Sequence, residues 1–134
     1  MARRDLTWIP RLLGAATAAY GAAITARPDL LLRPVKLLAD GERAEPGHKA
    51  LTMAIGGRDV VSGLAMLLVP AGTPLKAAIA VRVGADVADL TVLGSQLSDR
   101  DAREKATMVA AGWGAICALS VLAADRPKRG PLRR

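Results

Sequence analysis

The sequence predicts an all-α protein, a bundle of four transmembrane helices with an interfacial segment between helices 1 and 2. Four apolar stretches follow one another along the chain, each close to the ~20 residues that a helix needs to cross a bilayer. The chain is rich in Ala, Leu, Val and Gly and has no Phe, a composition that suits helices packed closely in lipid. Most of the charged residues lie between the stretches or at the two ends.

The first stretch, residues 6–26, reads LTWIPRLLGAATAAYGAAITA. The basic start MARR and the small residues after it also fit a cleaved signal peptide, but Pro10 and Arg11 interrupt the apolar region that such a peptide requires. We therefore predict a helix that belongs to the folded protein. Gly14 and Gly21 lie seven residues apart on it, which predicts that another helix approaches closely.

The connection from residue 27 to residue 49 begins RPDLLLRPVKLL. Its leucines are grouped among basic residues, as in segments that lie along lipid headgroups with their apolar side chains in the acyl boundary. We interpret this part as an interfacial segment, and an ordinary loop is the alternative.

The second and third stretches, residues 50–69 and 75–97, are separated by VPAGTP. Pro and Gly in so short a connection indicate a tight turn, which predicts an antiparallel helical hairpin. Gly56 and Gly63 lie seven residues apart on the second helix, the same spacing as on the first.

The fourth stretch, residues 106–124, contains no ionisable side chain, and Ala110, Gly114 and Ala118 place small residues along one face. The charged loop SDRDAREK precedes it, with Ser98 predicted to cap the helix. We expect residues 1–125 to form the membrane domain. Residues 126–134 are basic and broken by prolines, and we expect a disordered tail there.

The side-chain inventory argues against several classes of function. Cys117 is the single cysteine and His48 the single histidine, so we expect no disulfide, no zinc site, no Ser–His–Asp triad and no cofactor. The formal net charge is +7, but the basic residues are not interleaved with aromatic ones, so we expect no nucleic-acid partner. Basic residues that flank apolar spans are better explained by membrane lipid headgroups.

Apart from Lys76 at the start of the third stretch, six charged residues fall inside the predicted spans, three basic and three acidic: Arg11, Arg58, Asp59, Arg82, Asp86 and Asp89. One Arg or Asp near the centre of a membrane helix costs roughly 2.5–3.5 kcal/mol on insertion scales. We therefore expect these side chains to face inward and to neutralise one another.

The spacing of these residues predicts particular pairs. Arg82, Asp86 and Asp89 lie at i, i+4 and i+7 on one helix face, and Gln96 continues that face. We expect Arg82 to pair with Asp86, and Arg58 to reach Asp86 across the hairpin. Arg58 and Asp59 point about 100° apart around their helix, so we expect no direct pair between them. Asp59 is then expected to meet Arg82 or Arg11, unless Arg11 extends to the membrane face.

Two interpretations of these charges remain open. In one, they form a structural lock that fixes how the helices pack. In the other, they surround a polar cavity in which a ligand, proton or substrate meets Arg and Asp. A soluble four-helix protein is an alternative to the membrane interpretation as a whole.

Three segments carry a resemblance to a known family: RLLGAATAAYGAAI, GGRDVVSGLAMLL and RVGADVADL. In them the chain resembles small four-helix bacterial membrane proteins, distantly similar to the DoxX-like bundles. The resemblance implies a four-helix bundle in the bacterial cytoplasmic membrane and implies no established activity.

The orientation in the membrane is not decided by the positive-inside rule, because eight basic residues fall on each side of the predicted four-helix topology. We place both termini in the cytoplasm because the tail is densely basic. The two sets are Arg3, Arg4, Lys76, Arg126, Lys128, Arg129, Arg133 and Arg134 against Arg27, Arg33, Lys36, Arg43, Lys49, Arg100, Arg103 and Lys105.

The function that we expect is a metal-free membrane enzyme acting on a lipophilic small molecule by isomerisation, cyclisation or epoxide opening. Asp86, Asp89 and Asp59 are the candidate acid–base residues. The candidate substrate-binding residues are Arg58, Arg82, Arg11 and Gln96. The alternatives are a proton-coupled transporter, which with so few helices would work as a homodimer, and a non-catalytic accessory subunit whose salt bridges are structural.

Overall fold

A computed structural model describes residues 5–126, and every regular element in that range is helical. The helices are α1 (Trp8–Ala26), α2 (Asp29–Leu32), α3 (Pro46–Leu68), α4 (Thr73–Gln96) and α5 (Arg100–Leu119), and a 3₁₀-helix (Ser120–Ala123) extends α5. The predicted all-α class is confirmed. Four of the five helices are long, and they correspond to the four apolar stretches. The tail that we predict to be disordered lies, apart from Arg126, outside the described residues.

The starts of two helices differ from the prediction for a local reason. Asp99, and not Ser98, caps α5, because its side chain accepts a hydrogen bond from the Ala102 N–H at 2.8 Å. The predicted cap was therefore wrong, and charged residues that we assigned to a loop form the first turns of α5. The helix α3 begins at Pro46, since proline has the backbone angle of a first helical residue and needs no N–H partner there.

Glycines bring α1 and α3 into backbone contact, as their matching spacing predicts. A Cβ atom placed on Gly14 would lie 2.6 Å from the Gly63 carbonyl oxygen, and one on Gly21 would lie 2.5 Å from that of Gly56. Because Gly14 meets Gly63 and Gly21 meets Gly56, the two helices are antiparallel. They form the most extensive helix–helix contact in the described residues.

The second close pair is α4 with α5, in which Gly114 of α5 lies against Asp86 of α4. The predicted hairpin of α3 and α4 is present, and its turn uses Gly72 at a φ of +95°, which favours glycine. The Gly72 N–H donates to the Ala124 carbonyl at 2.8 Å. Across this turn, α3 and α4 contact each other less extensively than α3 contacts α1 or α4 contacts α5. The bundle therefore consists of two helix pairs.

The apolar core lies near the α3–α4 turn and is small, comprising Met66, Leu75, Ala78, Ile79, Cys117 and Ala124. Large apolar side chains lie on the outside, among them Val61, Val109 and Leu122, which are 70%, 72% and 84% exposed. Polar side chains such as Asp59, Arg82 and Asp86 are buried instead. By length and composition, Pro46–Leu68 and Arg100–Ala123 are the two helices of the described residues that qualify as membrane spans.

The connection between α1 and α3 is ordered by its own leucines. Leu32 and Leu38 are buried, whereas Leu30 and Leu37 are exposed. Lys36 has a φ of +55° and forms an ion pair of 3.0 Å with Asp99, which joins this connection to the start of α5. That the connection lies along headgroups stays a prediction.

Candidate functional site

The charged residues of α3 and α4 form one continuous chain of ion pairs, in the order Asp89, Arg58, Asp59, Arg82 and Asp86. One turn of α3 and about two turns of α4 supply these residues, because the hairpin brings the two helices side by side. We call these five residues the charge chain. Carboxylates and guanidiniums alternate along it, so each Arg lies between two Asp side chains.

Arg58 binds the outer end of the charge chain. Its Nη1 and Nη2 atoms donate to Oδ1 and Oδ2 of Asp89 at 2.7 and 2.8 Å, a bidentate pair. Nη2 also donates to Asp59 Oδ1 at 2.9 Å. Two predictions were therefore wrong: Arg58 meets Asp89 instead of Asp86, and it pairs with its neighbour Asp59. The prediction considered only the directions of the two Cβ atoms, which differ by about 100°. The Arg side chain is long enough to curve back along the helix surface to its neighbour.

Arg82 binds the inner end. It donates from Nε to Asp86 Oδ2 at 3.1 Å and from Nη2 to Asp86 Oδ1. Its Nη1 atom donates to Asp59 Oδ1 at 2.6 Å. The predicted pairs of Arg82 with Asp86 and with Asp59 are both confirmed. Asp59 Oδ1 thus accepts from both guanidiniums and joins the two ends.

Burial differs along the charge chain. The side chains of Arg82, Asp59 and Asp86 are 4%, 6% and 4% exposed, whereas those of Arg58 and Asp89 are 32% and 23% exposed. The inner three residues are thus sealed between the helices. The outer pair is the part of the charge chain that a molecule outside the bundle can reach.

The charge chain does not neutralise itself, contrary to our expectation. It contains three carboxylates and two guanidiniums, a formal charge of −1, because Arg11 is absent from it. Arg11 instead donates to the backbone carbonyls of Leu67 and Val69, with the second bond at 3.0 Å. Carbonyls at the C-terminal end of a helix lack intrahelical partners and carry partial negative charge, so they attract a guanidinium.

Gln96 does not join the charge chain either. It is exposed and ends α4, about 10 Å along the helix axis from Asp89 at the usual rise per residue. The shared helix face that we predicted from spacing continues past the point at which the partner helices cover it.

A cavity of about 210 Å³ lies between α3 and α4 beside the outer end of the charge chain. We call it the α3–α4 groove. Its walls are mostly apolar, with Arg58 as its one charged residue: Arg58, Val61, Ser62, Ala65, Ala78 and Val81. The polar cavity around the charges therefore stays a prediction. The charges contact one another, and an apolar space opens next to them.

The sequence patterns did not predict that three further residues, Trp113, Thr17 and Tyr20, lie near the charge chain. The Trp113 Nε1–H donates to Thr17 Oγ1 at 3.1 Å, a bond between α5 and α1. Tyr20 lies within electrostatic range of Asp59 and Asp89. The signal for Thr17 was present, since it shares a helix face with Gly14 and Gly21 at i+3 and i+7.

Within residues 5–126, no group of three or more His, Cys, Asp or Glu side chains is placed to hold a metal ion. The sequence matches no family model, no curated protein and no solved structure. The resemblance to DoxX-like bundles therefore stays a prediction, and the function is argued from the charge chain and the α3–α4 groove alone.

Proposed function

We propose that this protein is a small integral membrane protein in which Asp89 gives a proton to, and takes one from, a lipophilic molecule in the α3–α4 groove. The reaction class is a metal-free isomerisation, cyclisation or epoxide opening. The observation that carries the proposal is the charge chain, which has one more carboxylate than guanidiniums and whose Arg58, the partner of Asp89, lines an apolar groove.

The membrane assignment rests on the distribution of side chains. Charged groups are buried between the helices while large apolar groups such as Val81 and Leu119, 65% and 68% exposed, face outward. A soluble protein rarely exposes so much contiguous apolar surface, whereas lipid requires it. The 23 residues of α3 extend about 34 Å, enough to cross the hydrocarbon of a bilayer. In the proposed topology α1, α4 and α5 cross with it.

An uncompensated negative charge in a low-dielectric interior is costly, so the charge chain favours binding one proton. Asp59 is a poor place for it, because Oδ1 already accepts three N–H donors and the side chain is only 6% exposed, which closes it to exchange. Asp86 is sealed from exchange by its burial. Asp89 is the end carboxylate of the charge chain that a molecule outside the bundle can reach, so we place the exchangeable proton there.

The chemistry follows from that placement. Arg58 lines the α3–α4 groove and Asp89 lies behind it, so the reacting end of the bound molecule must extend past Arg58. There protonated Asp89 donates its proton to an oxygen or a double bond of the molecule and becomes a carboxylate. Its bidentate bond to Arg58 stabilises the anion as it forms. The carboxylate then removes a proton from a neighbouring carbon, which completes an isomerisation or cyclisation with no net change in protons. Val61 and Val81 of the α3–α4 groove hold the apolar part and exclude water.

Asp89→Asn tests the proposal directly. In the purified native protein, infrared spectra recorded as a function of pH are expected to show one buried carboxyl group that gains and loses a proton. Asp89→Asn is expected to remove that signal, while Asp101→Asn, which changes an exposed residue of α5, is expected to keep it. A native protein without such a signal, or a signal that survives in Asp89→Asn, would contradict the assignment.

Proton-coupled transport is the second candidate, and the two-pair architecture favours it. The pair of α1 and α3 and the pair of α4 and α5 meet through the charge chain and a less extensive helix contact. A change in the protonation of Asp89 would alter that junction and let one pair tilt against the other. Proton flux across vesicles that contain the protein, absent with Asp89→Asn, would favour transport over catalysis.

A further inference from the structure

A second cavity, of about 330 Å³, lies between the α1–α3 connection and the start of α3. We call it the loop cavity. Three basic side chains, Arg33, Arg43 and Lys49, and two acidic ones, Asp29 and Glu42, line it. None of them belongs to the charge chain, so nothing in the proposed function uses this cavity.

The ion pairs around the loop cavity leave it positive. Asp29 lies 3.9 Å from Arg27, and Arg33 pairs with Asp40 at 3.0 Å. Glu42 accepts a hydrogen bond from the Ala39 N–H at 3.0 Å. Asp29 is thus near a cation, whereas Glu42 keeps its charge, and the three basic and two acidic lining residues give the cavity a formal charge of +1.

The other two basic residues of the loop cavity, Arg43 and Lys49, have no such partners among the described residues. Within residues 5–126, the side chains of Arg43 and Lys49 form neither an ion pair nor a hydrogen bond, although each lines the cavity. A guanidinium and an ammonium that share a concave site, and that form no ion pair with its carboxylates, favour an anion with several oxygen atoms.

The N-terminus of α3 contributes the partial positive charge of its amides, beside the carboxylate of Glu45. The α3 N-cap, Glu45, makes no side-chain capping bond, and the first turn of α3 contains no acidic residue. The amides at the start of a helix carry partial positive charge, so they attract a nearby anion. Lys49 belongs to this first turn and lines the loop cavity, which brings the two sources of charge together.

The position of the loop cavity suggests the source of that anion. Leu30 and Leu37, 42% and 38% exposed, extend outward from the same connection. In a membrane protein, exposed leucines among basic residues insert at the acyl boundary, which places the basic groups at the level of the headgroups.

We propose that the loop cavity binds a phosphate group through Arg43 and Lys49, either the headgroup phosphate of an anionic phospholipid or free phosphate. The test uses the full chain purified in detergent and titrated with short-chain phosphatidic acid, with phosphatidylcholine of the same chain length, and with inorganic phosphate. The R43Q/K49Q variant removes the two unpaired cations. The control R100Q/K105Q removes the same charge from exposed residues of α5 that do not line the cavity.

Phosphatidic acid is expected to bind the native protein and R100Q/K105Q equally, and R43Q/K49Q about tenfold more weakly or less, because two charge-assisted contacts are lost. Competition by inorganic phosphate would identify free phosphate as sufficient, whereas its absence would show that the lipid headgroup is required. Equal binding by R43Q/K49Q and the native protein, or equal loss in both double variants, would overturn the proposal. Arg43→Gln alone is a second variant if the double variant fails to fold. The Asp89 proposal would be unaffected by any of these results.

Discussion

Arg82 is the residue that joins the inner half of the charge chain, since it binds Asp59 and Asp86 and is almost completely buried. Truncating one partner of a buried ion pair leaves the others without a counter-charge, which costs far more than replacing the whole pair by apolar groups. The inner residues are therefore expected to be needed for folding, and the outer ones for function.

Arg82→Leu is expected to destabilise the protein by about 3–5 kcal/mol, because it leaves Asp86 without a counter-charge in the interior and removes one of the two guanidiniums bound to Asp59. The double variant Arg82→Leu with Asp86→Leu is expected to recover part of that loss, since it also removes the unpaired Asp86 carboxylate. Denaturant unfolding in detergent measures both. A loss below about 1 kcal/mol for Arg82→Leu, typical of an exposed ion pair, would show that the inner pairs are solvated.

At the scale of elements, the contact of α1 with α3 depends on the missing side chains of its glycines. A Cβ on Gly63 would lie 2.5 Å from both the Ala18 nitrogen and the Gly14 carbonyl oxygen, which are backbone atoms that cannot move aside. Nothing lies within 4 Å of the corresponding position on Gly57 in the same helix. The two sites give a matched comparison.

Gly63→Ala is expected to cost about 1–3 kcal/mol, because the helices must separate to admit the methyl group. Gly57→Ala is expected to be neutral or to stabilise the protein by up to about 1 kcal/mol, since alanine favours helix and meets no neighbour. Thermal unfolding of the two variants side by side measures the difference. Equal stability of both would contradict the close backbone contact.

Asp99 connects two elements, because it caps α5 and pairs with Lys36 of the α1–α3 connection. Its hydrogen bond from the Ala102 N–H and its bond from Lys36 hold the Asp99 pKa below its usual value. A carboxyl group whose pKa is lower in the folded state stabilises the fold above its unfolded pKa, and that contribution is lost as the pH falls through the folded value.

Asp99→Ala is therefore expected to lower the melting temperature near neutral pH, and the difference from the native protein is expected to shrink below about pH 4. Glu104→Ala, at an exposed position one turn further into α5, serves as the control. Its effect is expected to be smaller at neutral pH. A difference for Asp99→Ala that is independent of pH would show that the carboxylate charge contributes nothing.

Sequence patterns predicted the elements better than the contacts of the site. Long apolar runs and the Pro/Gly turn located the four long helices, since both features act locally. The partners of Arg58 and Arg11 were missed because a long guanidinium side chain chooses among several acceptors only after the helices have packed. Arg11 binds carbonyls at the end of α3, and Arg58 binds Asp89 of α4. The spacing of residues along one helix does not show which of several acceptors on another helix a side chain will bind. Asp99 was missed as the cap because Ser98 beside it is an equally good capping residue.

At the scale of the whole molecule, the buried charges and exposed apolar side chains predict a protein that needs lipid or detergent. The expected result is that the full chain sediments with membranes, resists extraction by carbonate at high pH, and is released by detergent. The physical reason is that side chains such as Leu122, 84% exposed, meet water in any soluble form. Recovery of a monodisperse protein in the aqueous fraction would contradict the proposed membrane location.

The bond between Arg58 and Asp89 also bears on how the chain is synthesised. The segment that carries Arg82, Asp86 and Asp89 inserts poorly by itself. Each charge at mid-helix costs roughly 2.5–3.5 kcal/mol when the helix passes from the translocon into lipid. Arg58 precedes these residues in the chain and reaches Asp89 once the Gly72 turn has formed. In a chain that spans the membrane, α3 would therefore wait at the lateral gate, and α3 and α4 would partition together as an ion-paired unit.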